Sequence, residues 1–408
     1  MSAVDLADLV DPDRFASDGY PHDVWTYLRE HDPVARVEVP GYEPFWAVTR
    51  HADVVAVSAR AEEYSSAQGI TLARAGAPVL PPMDLVVLMD PPRHGPMRKL
   101  VLPWFTPKAV RARRDELSDL ARGIVDDAVP GETPGTLDAV GDIAAPFPLA
   151  LVAWILGVPR ADWDRLFDLS NAVIGKDDPE FRRGDDSPGR TAQRARGEIH
   201  ACFAELIAQR RREPQDDLIT ALVGSTFEGA PLADEQLLLY CELLVEAGNE
   251  TTRNAISGGL LAFCEHPEAW ATLREHPERL PTAVDEILRW VSPISHFTRT
   301  ATVDLELHGR DIRAGDRLAL YYASANRDED VFDDPFAFRI DRSPNPHLTF
   351  GFGEHFCIGA HLARVEVELV FTHLLGRVER FELAGPVERL RSIVNGSIKR
   401  LPLRYSDG

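Results

Sequence analysis

Cysteine is scarce in this chain. The 408 residues hold four, Cys202, Cys241, Cys264 and Cys357, with no CxxC pair among them and long gaps between most of them. That spacing excludes a disulfide scaffold and a cysteine-based metal knuckle, and it leads to the expectation of a reducing, cytoplasmic location. Positive charge is also in deficit, with 44 Lys and Arg against 65 Asp and Glu and a net charge of −21. A surface of that sign repels phosphate backbones and anionic headgroups, so nucleic acid is not an expected partner. Residues 1–30 contain no apolar run of the kind that makes a signal peptide or an anchor, and no membrane span is expected. Internal repeats and long low-complexity segments are missing too. What is present, 44% hydrophobic and 27% charged residues, is the balance of a globular chain able to bury a large core.

Length alone allows two or three domains of roughly 150 residues each. The composition offers no good place to cut, and one domain over residues 1–408 is expected. Only residues 175–190, GKDDPEFRRGDDSPGR, look like a break, being charged, broken by Pro and Gly, and nearly free of apolar residues. Flanked by helical patterns, the segment is expected to be a mobile loop between two helices rather than a linker. Helical spacing dominates, over 108–129, 192–212, 233–266 and 359–380. Strand-like alternation is short and clustered at two places: VARVEV and FWAVTR around the turn PGYEP, and ATVDLELHGRDIRAGDRLALYY over 301–322. The pattern predicts a mainly α protein with small, separate β-sheets.

The longest helical pattern, 233–266, is apolar nearly all round and should run through the core. Its middle, Gly248-Asn249-Glu250-Thr251-Thr252, breaks the rules for such a helix: a weak helix former, a carboxylate and two hydroxyls stand where unpaired polar groups are costly. Two readings fit, a capped boundary between two shorter helices or an opened turn facing a cofactor.

A sharper signal is Phe350-Gly351-Phe352-Gly353-Glu354-His355-Phe356-Cys357-Ile358-Gly359, followed at once by the helical run AHLARVEVELVFTHLL. The glycines bring backbone close to something. Cys357 stands just before a helix N-terminus, where the macrodipole and free N–H groups favour a thiolate. Cys202, Cys241 and Cys264 lie in apolar helical patterns instead and read as small core hydrophobes.

FGFGEHFCIG resembles the haem-binding loop FGxGxHxCxG of the cytochrome P450 superfamily. Four other segments fit in order: Ala247–Thr251 is similar to its (A/G)GxxT helix motif, Glu286–Arg289 to its ExxR motif, DPPRHGPMR over 90–98 to its DPPxHxxxR segment, and Arg299 to the arginine that follows ExxR. The resemblance spans essentially the whole chain. It implies a triangular, mainly α P450 fold holding haem b, with the iron ligated by the Cys357 thiolate, which favours O–O cleavage. His94, Arg98, Arg299 and His355 would hold the two propionates, and Gly248, Phe350 and Gly359 belong to the cofactor-binding motifs. Glu250 and Thr251 resemble the acid and alcohol that deliver protons to dioxygen in this family. Glu286 and Arg289 look like a structural ion pair. The family's further arginine before a phenylalanine is replaced, since Ala337 precedes Phe338, so Arg339, Arg342 or neither completes that network.

The implied activity is a monooxygenase that inserts one atom of O2 into an apolar small molecule, with electrons from a separate ferredoxin and ferredoxin reductase. By position Ile70–Met89, Leu243, Ala247, Ile294 and Phe297 should line the cavity. AGNETTRNAISGG, RSPNPHLTFGFG and FTRTA are similar to bacterial members that act on steroids, terpenoids and methyl-branched lipids. A haem-thiolate peroxygenase or isomerase, or a haem-binding sensor without turnover, are the alternatives, and the Glu250–Thr251 pair argues against the peroxygenase. Arg98, Lys99, Lys108, Arg111, Arg113, Arg114 and Arg364 cluster beside the two haem-facing helices and suggest a basic docking patch for the electron donor.

Overall fold

The computed structural model describes residues 4–76, 83–131 and 134–407. Most of them are helical. The helices that build the site are α1 (His94–Lys99), α2 (Pro107–Ala112), α3 (Arg114–Ala128), α4 (Pro146–Leu156), α5 (Trp163–Ile174), α6 (Pro188–Arg212), α7 (Asp234–Glu265), α8 (Leu280–Val291) and α9 (Ala360–Leu375). The strands are β1 (Val34–Val37), β2 (Phe45–Val48), β3 (Tyr64–Ser65), β4 (Gly135–Asp138), β5 (His296–Ala301), β6 (Arg317–Tyr321), β7 (Val378–Leu383), β8 (Glu388–Arg389), β9 (Ile398–Arg400) and β10 (Pro402–Asp407), besides two short hairpins.

The pattern expected over 108–129 is two helices, because Arg113 leaves helical geometry at φ −108°, ψ 3°. The pattern over 359–380 stops at Leu375, and β7 begins at Val378. The sheets are small, as expected, and 305–312 of the second cluster forms a hairpin of its own, but the other strands of the two clusters are not separate. They join in one five-stranded sheet of order β1-β2-β6-β5-β3, in which β6 runs parallel to β2 with Arg317 opposite Phe45. A second sheet, β7-β10-β4, and the hairpin β8-β9 complete the C-terminal side.

α7 runs unbroken for 32 residues, so the reading as two shorter capped helices does not hold, and the turn at 248–252 keeps its helical form. The polar turn is accommodated by side-chain bonding instead: the Thr251 hydroxyl donates to the Ala247 carbonyl one turn back, 2.8 Å away. α7 packs against α4, α6, α8 and α9, and the largest apolar cluster is assembled around it. Gly248 serves one of these crossings. A Cβ there would lie 2.5 Å from Val152 of α4, so the space the glycine leaves is taken by the neighbouring helix. Ala139–Leu156 is long and apolar enough to cross a membrane, but 78% of it is buried inside the fold.

Residues 175–190 join α5 to α6 as expected, and two of their carboxylates have partners more than two hundred residues away. Asp178 is buried, accepts from the Arg391 backbone N–H at 3.2 Å and pairs with Lys399 at 3.1 Å. Glu180 pairs with Lys399 at 2.9 Å and with Arg400 at 2.5 Å.

The strongest polar knot lies at α8. Glu286 is fully buried and takes both arms of Arg289, at 2.7 and 2.8 Å. Arg342 completes the network with Nε 3.1 Å from Oε2, and Asn345 Nδ2 donates at 3.2 Å. Arg339 contributes only its backbone N–H, 2.8 Å from Oε1, while its side chain stays exposed. Arg289 also donates to the carbonyls of Asn326, Pro335 and Ala337.

Arg289→Ala should therefore cost about 3–5 kcal/mol, since it strands a buried carboxylate. Arg342→Ala should cost about 1–3 kcal/mol. Arg339→Ala keeps the donating N–H and should stay within about 0.5 kcal/mol. Chemical denaturation followed by circular dichroism checks the ranking, and a loss in Arg339→Ala equal to that in Arg342→Ala would reverse the assignment of the two arginines.

Candidate functional site

The cysteine loop is built on two glycines in the left-handed region, Gly351 at φ 71° and Gly353 at φ 73°. A side chain at Gly353 would also collide with backbone, since its Cβ would lie 2.3 Å from the Ser58 carbonyl oxygen. Backbone bonds from Gly351 to Leu348, Phe356 to Gly353 and Cys357 to Phe350 close the loop at 2.9–3.1 Å. Cys357 is thereby held just ahead of α9. The Cys357 side chain is exposed at the end of the loop. Burial pushes its thiol pKa up. The Gly359 N–H and the charges of Arg98 and Arg364 act the other way, so the expected pull of the helix start is present but burial outweighs it. Cys202, Cys241 and Cys264 have thiols raised first by burial and further by acidic neighbours, as inert cysteines should.

Four cationic or imidazole groups converge beside this loop from three segments. α1 supplies His94 and Arg98, β5 supplies Arg299 and the loop itself supplies His355. The His94 and His355 rings lie 4.2 Å apart, His94 Nδ1 is 3.1 Å from Glu354, and His355 Nε2 is 3.3 Å from the Ser66 hydroxyl. Burial, then the charges of Arg299, His94 and Arg98, hold His355 down at about 3, so it is neutral at physiological pH. Arg98 donates to the Phe356 carbonyl at 2.5 Å, and buried Arg299 donates to its neighbour Thr298 at 2.9 Å. Among the described residues no carboxylate pairs with Arg98 or Arg299. In a chain of net charge −21 that is a concentrated positive site fitted to a dianion. A haem, with two carboxylates at one edge and an iron that takes a thiolate, suits this donor set.

Phe350 packs behind the loop, under the Arg364 guanidinium at 4.6 Å. On α7, Leu243, Leu244, Ala247 and Thr251 are open along a helix whose other faces are mostly buried, and Ala247 in its centre is exposed. Residues four apart share a helix face, so half-buried Leu243, exposed Ala247 and half-buried Thr251 form one stripe. Ile294 bridges to Asn395, and Phe297 lies 6.2 Å from the Tyr322 ring. Of the expected loop Ile70–Met89, residues 77–82 lie outside the described residues.

Glu250 is held more firmly than its sequence context suggests. It is buried, ion-paired to Arg253, and accepts from the Ser397 hydroxyl and, at 3.4 Å, from Asn254. Arg253 in turn donates to Asn171 of α5 at 2.9 Å. The three-residue spacing of Arg253 from Glu250 was visible in the sequence. Ser397 and Asn171 carry no sequence signal, because only folding brings them near.

The basic patch divides. Arg113 lies over Trp104 at 4.9 Å and Trp154 at 5.7 Å, Arg114 pairs with Glu368 at 2.8 Å, and Arg364 pairs with Asp285 at 2.7 Å. Lys99, Lys108 and Arg111 are exposed and have no ion pair among the described residues. Arg113 and Arg114, expected to dock the electron donor, are thus already engaged.

Comparison with known proteins agrees with this geometry. The cytochrome P450 family model matches residues 185–400. A putative cytochrome P450 126 of Mycobacterium tuberculosis is 39% identical, with 100% of this chain and 99% of that protein aligned. A steroid C26-monooxygenase of Mycolicibacterium smegmatis is 36% identical over 93% of this chain and 89% of that protein. The solved structure of Mycobacterium marinum cytochrome P450 CYP268A2 in complex with pseudoionone superposes with a TM-score of 0.89 at 36% identity, covering 98% of both chains. A family match over more than half the chain, whole-length relatives and a shared fold leave one conclusion: this protein belongs to the cytochrome P450 family, whose members bind haem b and incorporate oxygen from O2.

Proposed function

We propose that this P450 hydroxylates an apolar small molecule of the steroid, terpenoid or lipid type, using electrons from a separate ferredoxin and its reductase. The observation that carries the reading is the open apolar stripe Leu243–Ala247 on α7, in line with Thr251. Apolar walls of this kind hold a hydrophobic ligand by burial, with few polar groups to orient it. The steroid C26-monooxygenases among the relatives and the pseudoionone-bound neighbour support the substrate class.

In this reading Cys357 ligates the iron, and His94, Arg98, Arg299 and His355 hold the propionates. Bound haem supplies the iron at which dioxygen is reduced by two electrons and two protons, one oxygen atom entering the substrate and the other leaving as water. The chain's own part is to place and hold protons. Thr251 Oγ1, now donating to the Ala247 carbonyl, carries a hydroxyl proton beside the open stripe, and the adjacent Glu250 carboxylate is the group able to resupply it. Because Glu250 is ion-paired to Arg253 and bonded to Ser397, it is kept from wandering into the apolar cavity, where an unpaired charge would be costly.

Three outcomes follow. Cys357→His should abolish the red-shifted Soret band of the reduced carbon monoxide complex, while Cys202→Ser, Cys241→Ser and Cys264→Ser retain it; a band that survives in Cys357→His sinks the ligand assignment. Thr251→Ala should still bind haem and consume NADH but divert electrons to hydrogen peroxide, whereas Glu250→Gln should slow turnover as a whole. Peroxide and product per NADH distinguish the two, and unchanged product per NADH in Thr251→Ala would return the hydroxyl to a helix-packing role. For electron delivery, Lys108→Glu with Arg111→Glu should slow reduction by an acidic ferredoxin more at low ionic strength than at 0.1 M salt, where the screening length is about 10 Å. Arg114→Glu should slow it less, because Glu368 already neutralises Arg114.

A further inference from the structure

Beside the cavity wall lies a cluster that the reaction does not use. On α7, Glu242 and Glu246 stand one helical turn apart, each immediately preceding a residue of the apolar stripe, Leu243 and Ala247. Facing them on α6 is a single arginine, Arg196, whose Nε lies 2.8 Å from Glu242 and 3.5 Å from Glu246. His200, one turn further along α6, is hydrogen-bonded through Nε2 to the other oxygen of Glu242. Glu242 is buried, and Glu246 has a buried oxygen with no hydrogen bond. Two carboxyls thus share one guanidinium in a partly desolvated seam between two helices.

We propose that Glu242 and Glu246, gripping Arg196 and His200, form a pH-dependent clamp that governs how readily α6 lifts from α7 to admit ligand to the cavity. This rests on the reading of the α7 stripe as cavity wall. The charges acting most on Glu246 are Arg196 from α6 and Glu242 from its own helix, and His200 reaches the pair through Glu242. None of the leading interactions comes from α4 or α5, which also pack on α7.

The direction is set by burial. With the seam closed, burial and the neighbouring Glu242 outweigh Arg196 and raise the Glu246 carboxyl from 4.5 to about 7. Opening returns it to water and to its ordinary acidity, so opening releases a proton. By linkage, the closed seam is stabilised by the proton on Glu246, fully below about 4.5, and that stabilisation is lost as pH rises through about 7. Above that point two carboxylates repel across one arginine, and α6 is held less tightly.

The test is the rate at which haem-loaded protein takes up a bulky aryl triazole, an iron ligand that does not titrate near neutrality, followed by stopped-flow absorbance from about pH 6 to about pH 9. In the wild type the association rate should rise through about pH 7, by at most ~10-fold per pH unit. In Glu246→Gln, neutral like the protonated acid, it should stay slow and flat. Hydrogen exchange of residues 188–212, corrected for intrinsic pH dependence, should lose protection over the same range in the wild type alone. A pH response of equal size in wild type and Glu246→Gln, or a flat wild type, overturns the clamp. Failure of the proposed function is distinguishable: without haem the triazole gives no optical signal, while exchange still reports on the seam.

Discussion

A single carboxylate, that of Glu286, sets the geometry on which the cysteine loop depends. It is fully buried, and a buried charge is tolerated only when its lone pairs are met by donors. Arg289, Arg342, Asn345 and the Arg339 N–H meet them. Arg289 stands on α8, but the other three donors belong to irregular chain, so satisfying one group pins 339–345 to the helix, and the further bonds of Arg289 to the Asn326, Pro335 and Ala337 carbonyls hold the stretch before it. The order then passes onward: Arg289 holds the Asn326 carbonyl, the Asn326 side chain accepts from the Leu348 N–H at 2.7 Å and donates to Thr349, and Thr349 donates to the Leu288 carbonyl at 2.9 Å. Phe350 follows, and with it the loop that ends in Cys357.

Electrostatics divides the molecule in the same way. The acidic excess lies on the surface and in ion pairs, whereas among the described residues Arg98 and Arg299 have no carboxylate paired with them. Cationic groups of this kind are expensive to bury unless an anion completes them, which is why they are informative. Glu250 shows the converse arrangement, a carboxylate beside an apolar wall whose oxygens are met by Arg253, Ser397 and Asn254.

Much of this was legible in the sequence because it is local. The glycine spacing around Cys357, the four-residue stripe on α7 and the three-residue Glu286–Arg289 spacing each follow from backbone geometry over a few residues. What escaped was decided by distance. The segment 175–190 has the composition of a solvated loop, and nothing local shows that Lys399 and Arg400 will neutralise Asp178 and Glu180. The polar turn of α7 suggested a break because propensity counts Gly248 and Thr251 as costs. Val152 fills the space beside the first and the Ala247 carbonyl takes the hydroxyl of the second, so tertiary packing overrode propensity. Arg113 and Arg114 read as free charge, yet a pair of tryptophans and Glu368 claim them.

The parallel pairing of β2 with β6 has a further consequence for how the chain is made. Residues 45–48 and 317–320 are neighbours in one sheet but are separated by some two-thirds of the chain. During synthesis the β1–β2 hairpin emerges first and must wait, with the edge of β2 unpaired, until β6 has left the ribosome. β2, one of the first strands made, is thus among the last to gain its second native partner, and in that interval an exposed edge carrying Phe45 and Trp46 is a part of the nascent chain open to mispairing and to chaperone capture.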